Sequence, residues 1–105
     1  MDRQDRVDAF VETHGLETAP EYRLLDLQSE LGEIAKNAVE STEYGARPDE
    51  LTVNQDELGD ALFALLALVS SLEIDADEAL DEAIEKYERR LSDGETPASG
   101  DGKPL

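Results

Sequence analysis

The apolar residues of this chain recur three and four positions apart, and no run rich in Val, Ile and Thr alternates one by one, so the pattern fits helices and leaves no segment for a half-buried strand. Pro and Gly divide that pattern into four expected helices. The first spans roughly Arg3 to His14, with Val7, Phe10 and Val11 on one face and Gly15 as its stop. The second opens at Pro20, a residue suited to a first helical position, and runs to about Tyr44 with a stripe of Leu24, Leu27, Leu31, Ile34, Ala35 and Ala38. Residues 45–53 contain Pro48 and form a connecting loop with room for one short turn. Asn54 followed by Glu57 has capping-box spacing and opens a third helix to about Leu72, whose core stripe is Leu58, Leu62, Leu65, Val69 and Leu72. Asp75 and Glu78 repeat the signal and open a fourth helix through Leu91, carrying Ala79, Leu80, Ala83, Ile84 and Tyr87. From Ser92 onward there is almost nothing to bury, so residues 1–91 are expected to form one helical domain and 92–105 a disordered tail.

At 105 residues the chain has room for one domain, and it lacks cysteine. Disulfides, thiolate zinc sites and cysteine nucleophiles are thereby excluded, leaving a metal or a partner subunit as extra sources of stability. The opening MDRQDRVDAF carries charges where a secretory signal needs an apolar stretch, so a cytoplasmic location is expected. The longest purely apolar run, Ala61 to Val69, is about half the roughly 20 residues needed to cross a bilayer. Twenty-seven acidic residues against nine basic ones give a net charge of −18, which repels phosphate backbones and anionic lipid. Neither nucleic acid nor membrane is an expected partner. The acids run along the whole chain and lysine is scarce, a surface of the halophilic kind that molar salt would screen.

Glu30 and Glu33 stand three apart on the second helix, as do Glu57 and Asp60 on the third. Side chains at that spacing share a helix face, so two such pairs on antiparallel helices bring four carboxylates together. An all-oxygen set suits a hard cation, magnesium or manganese, better than zinc. With Leu27, Leu31 and Ile34 toward the core, Glu30 falls at the edge of the buried face and Glu33 further round. Spacing does not single these pairs out, because Asp2 with Asp5 and Glu82 with Glu85 have it too. The surrounding sequence does.

The stretches LDLQSELGEIAKN (Leu25 to Asn37) and ELGDALFALLALVSSLEIDADEALDEAIEKYERRL (Glu57 to Leu91) resemble the all-alpha nucleoside triphosphate pyrophosphohydrolases of the MazG type. That family is marked by Glu-x-x-Glu followed, after a variable gap, by Glu-x-x-Asp; Gly32, Gly59 and the apolar run after Asp60 add to the likeness. The resemblance implies that Glu30, Glu33, Glu57 and Asp60 hold Mg2+, with Mn2+ as an alternative, against a nucleoside triphosphate. Water then attacks the alpha phosphorus, with Glu30 or Glu33 as its base, and nucleoside monophosphate and pyrophosphate are released. Lys86 and Arg90 match basic positions of the family's final helix and would contact the phosphates, although Lys86 can equally pair with Glu82 one turn earlier. Lys36 is expected to pair with Glu33. Ala64 stands where the related phosphoribosyl-ATP pyrophosphohydrolases usually carry histidine, which argues against that branch.

The expected fold is all-α and four-helix-bundle-like, and the wide apolar surface of the third helix calls for a homodimer or homotetramer. Two rival readings are a non-catalytic acidic bundle that binds a protein partner and a family member that senses nucleotide.

Overall fold

The computed structural model describes residues 2–94. Helix α1 spans Arg3–Thr13, α2 Pro20–Ser41, α3 Gln55–Ser71 and α4 Ala76–Ser92, with a 3-10 turn at Pro48–Glu50; the described residues contain no strand. The all-α expectation holds. Asp2 caps α1 by accepting a hydrogen bond from the Asp5 amide at 2.8 Å, and Asp75 caps α4 by accepting from the Glu78 amide at 3.1 Å. Pro20 opens α2, and His14 with the left-handed Gly15 (φ 64°) closes α1.

Helix α2 ends at Ser41 rather than Tyr44, because Thr42 diverts the chain. Its hydroxyl donates to the Val39 carbonyl at 2.8 Å and accepts from the Gly45 amide at 3.0 Å, while the Arg47 amide donates back to the Thr42 carbonyl at 2.8 Å. Glu43, Tyr44 and Gly45 all take positive φ, at 52°, 57° and 92°. That conformation is costly for the two non-glycine residues, and the hydrogen bonds about Thr42 offset it.

By its contacts the chain divides into two units, Met1–Glu73 and Ile74–Leu105. Within the first, α3 packs against both α1 and α2. Both pairs are antiparallel. Gln4 of α1 donates to Ser70 near the end of α3 at 2.9 Å, and the Phe10 and Phe63 rings meet edge to face at 5.8 Å. Asn37 in the second half of α2 reaches Glu57 in the first turn of α3.

The core runs along small residues. Ala61, Ala64, Leu66 and Ala67 of α3 are buried together with Val7, whereas Leu58, Leu62, Leu65 and Leu72 of the expected core stripe are exposed and Val69 is half-buried. Alanine lets neighbouring helices approach closely, so the alanine row of α3, with Leu66, faces its partners while Leu58, Leu62, Leu65 and Leu72 stay exposed. A parallel rotation occurs on α2. The half-buried row is Leu27, Glu30, Ile34 and Ala38, and Leu24, Leu31 and Ala35 are exposed.

In the second unit, α4 carries Leu80, Ile84, Tyr87 and Leu91 as exposed apolar residues and buries none of its own. It includes Ser92, and Asp93 caps it; residues 95–105 of the expected tail lie outside the described residues. Among the described residues no helix is long and apolar enough to cross a membrane.

Candidate metal centre

The α2 row that faces α3 contains Glu30, which makes this carboxylate half-buried while Glu33, three residues on, is exposed. Facing them from α3 are Glu57, half-buried in the first turn, and Asp60, exposed. The Glu30 carboxyl is held above the usual glutamate range, first by its partial burial and then by the charges of Glu33, Asp60, Asp26 and Glu57. Glu30 therefore feels the other three motif carboxylates through space, two of them from the facing helix. The antiparallel packing of α2 on α3 brings the two sequence pairs to one side of the helix pair.

Proximity here stops short of a finished cage. Among the described residues no three Asp, Glu or His side chains are gathered tightly enough to hold an ion as they stand. The donor set is all carboxylate, a chemistry suited to a hard divalent cation.

Glu57 differs from the other three in being held. Its Oε2 accepts a hydrogen bond from Asn37 Nδ2 at 2.9 Å and its Oε1 one from Asn54 Nδ2 at 3.0 Å. The spacing of Asn54 and Glu57 leads one to expect a side-chain cap on α3. Asn54 does occupy the cap position, but its side chain makes no capping hydrogen bond and turns to the carboxylate of Glu57 instead. Sequence reasoning did not single out Asn37; its place four residues after Glu33 and seven after Glu30, on the same face, was the available signal.

The expected pairing of Lys36 with Glu33 does not form. Among the described residues neither Lys36 nor Lys86 lies within ion-pairing distance of a carboxylate, whereas Arg47 pairs with both Glu43 and Glu50 at 3.2 Å. Exposed pairs on a helix gain little against the entropy of fixing two long side chains, so Lys36 stays apart from Glu33 and Lys86 from Glu82. Lys86 and Arg90 share a face of α4, in the second unit, where their charges lie 5.1 Å and 6.0 Å from the Tyr87 ring centre.

A cavity of about 420 Å³ opens between α1, the α1–α2 connection and the later turns of α3, lined by Asp8, Glu12, Glu17, Arg23, Ser70 and other residues. Arg23 is 8% exposed and donates to the Leu16 carbonyl, so it ties the start of α2 to the connection before it.

Comparison with known proteins places the chain among relatives by sequence. The chain is 37% identical over 71 residues to YpjD, an uncharacterized protein of Bacillus subtilis (strain 168), an alignment covering 64% of this chain and 62% of that protein. The chain thus spans less than two thirds of that relative. No solved structure matches it. The profile of the MazG nucleotide pyrophosphohydrolase domain matches residues 18–94, which include α2, α3, α4 and all four carboxylates. The chain belongs to the MazG nucleotide pyrophosphohydrolase family.

Proposed function

We propose that this chain is a magnesium-dependent nucleoside triphosphate pyrophosphohydrolase, with Glu30, Glu33, Glu57 and Asp60 as its metal ligands and manganese as an alternative cation. The observation that carries the reading is the raised Glu30 carboxyl, which three acids of the family's paired motif crowd from two facing helices. Such crowding costs stability in the free protein and becomes favourable when a divalent cation is shared among the acids. A cation bound there supplies positive charge to the triphosphate and to the departing pyrophosphate.

The chain's own groups do the rest. Glu57 and Asp60 hold their charge on the α3 side, and Glu30 or Glu33 on the α2 side orients the attacking water and takes its proton. Water oxygen bonds to the alpha phosphorus as the bond from that phosphorus to the bridging oxygen breaks, leaving nucleoside monophosphate and pyrophosphate. Lys86 and Arg90 are assigned to the phosphates, Lys86 as a point charge and Arg90 as a bidentate donor. The exposed leucines of α3 support a homodimer or homotetramer as the working form. The dispersed acidity supports work in a salt-rich cytoplasm.

The test is a panel of standard and modified nucleoside triphosphates with magnesium in molar potassium chloride, scored for pyrophosphate release. Release from at least one triphosphate that stops on chelation supports the reading. Release of orthophosphate alone, or no turnover with any member, rejects it.

A further inference from the structure

We infer that Asn37 and Asn54 are positioning residues for Glu57, clamping its carboxylate so that one ligand of the metal centre is already in place before a cation arrives. The inference rests on the reading of Glu57 as a metal ligand. Both oxygens of Glu57 accept one amide hydrogen bond, from Asn37 at 2.9 Å and from Asn54 at 3.0 Å. A glutamate has three side-chain torsions to restrict, and two donors from separate elements fix the plane of its carboxylate where one would leave it free to swing. Each oxygen keeps a further lone pair for a cation.

The chemistry of the donors is specific to this task. An ionised carboxylate only accepts, so the amide nitrogen of each asparagine must be the atom turned to it. An amide is neutral and orients the carboxylate without cancelling its charge, whereas Lys or Arg in the same place would compete with the cation.

The chain supplies its own comparison for Asn54. Three of its helices begin with Asp or Asn at the cap, and at Asp2 and Asp75 the side chain satisfies a backbone amide of the first turn. Asn54, a residue type equally suited to capping, leaves that amide and donates to Glu57. Asn37 adds the second donor from α2, so the helix carrying Glu30 and Glu33 also fixes the carboxylate facing them. Among the described residues Glu30, Glu33 and Asp60 have no hydrogen-bond partner for their carboxylates. Glu57 is the preset ligand, and the other three close onto the cation that it presents.

The test is Mn2+ binding to chelator-stripped protein in molar potassium chloride, followed by calorimetry and by the electron paramagnetic resonance of free Mn2+. Wild type is compared with Asn37→Leu, Asn37→Ser, Asn54→Ser and Glu57→Gln, and with each asparagine change combined with Glu57→Gln. Both asparagines are exposed, so the folds should survive; Asn37→Ser serves if the leucine variant does not fold, and Ser keeps a capping side chain at position 54. Each single asparagine variant is expected to raise the Mn2+ dissociation constant on the order of 10-fold, with no further loss in the Glu57→Gln background. If Glu57→Gln weakens Mn2+ binding and the asparagine variants do not, the clamp is overturned and the metal site stands. Losses that add fully to that of Glu57→Gln also overturn it, because the asparagines then act independently of Glu57. Wild-type affinity in Glu57→Gln itself would overturn the clamp and the ligand reading together.

Discussion

The guanidinium of Arg23, on the second turn of α2, donates to the carbonyl of Leu16 and is buried as it does so, although Asp8, Glu12 and Glu17 line the same cavity. No carboxylate stands within ion-pairing distance of it among the described residues. Arg23 therefore acts in the fold through its hydrogen bond and the packing of its long stem. Arg23→Ala should lower unfolding stability by about 1–2 kcal/mol, losing both, and Arg23→Met should cost less because it keeps the stem. Urea melts in molar potassium chloride compare the two; equal losses would show that the stem contributes nothing.

Glu30 is expected to destabilise the metal-free protein at neutral pH. Its carboxyl sits above the usual range in the folded state, so the fold binds a proton more readily there than the unfolded chain does. The penalty is complete above the folded value and relieved as pH falls toward the ordinary glutamate range. Glu30→Gln should accordingly raise the melting temperature of chelator-treated protein at pH 7, with a smaller gain near pH 4. A gain that grew on acidification would contradict this sign.

Glu57→Gln should reduce pyrophosphate release at least about 10²-fold, or roughly 2.7 kcal/mol of transition-state stabilisation, with folding intact. Its effect on stability should differ from that of Glu30→Gln. Glu57 accepts from two asparagines, and a glutamine has only one oxygen to offer them, so one donor loses its partner as charge is removed. Steady-state turnover and melting of the same preparation separate the two effects, and undiminished turnover would remove Glu57 from the mechanism.

Stability should rise with salt. A net charge of −18 on 105 residues repels itself, and at molar potassium chloride the screening length falls to about 3 Å. Melting temperature should climb steadily from dilute buffer to molar salt, with sodium and potassium chloride nearly equivalent. Identical melting at both extremes would leave the acidic surface without a stabilising counterpart.

The sequence by itself determined the four helices, the cap at Asp75, the start at Pro20 and the stop at Gly15, because each depends on neighbours within one turn. It also determined the pairing of Glu30 with Glu33 and of Glu57 with Asp60, since residues three apart on a helix share a face whatever surrounds them. Rotation of the helices about their own axes was decided elsewhere. Leucine stripes mark a broad apolar face, but α3 turns its alanines inward, because the approach of one helix to another is limited by side-chain bulk at the contact and not by hydropathy alone. That rotation places Glu30 in the facing row in place of Leu31 and lets Asn37 reach Glu57 across the helix pair. Asn54 shows the same division at a single residue. Its position as a helix cap was readable from local sequence, whereas the direction of its side chain depends on a competition between a backbone amide and the Glu57 carboxylate, which the tertiary structure resolves for the carboxylate.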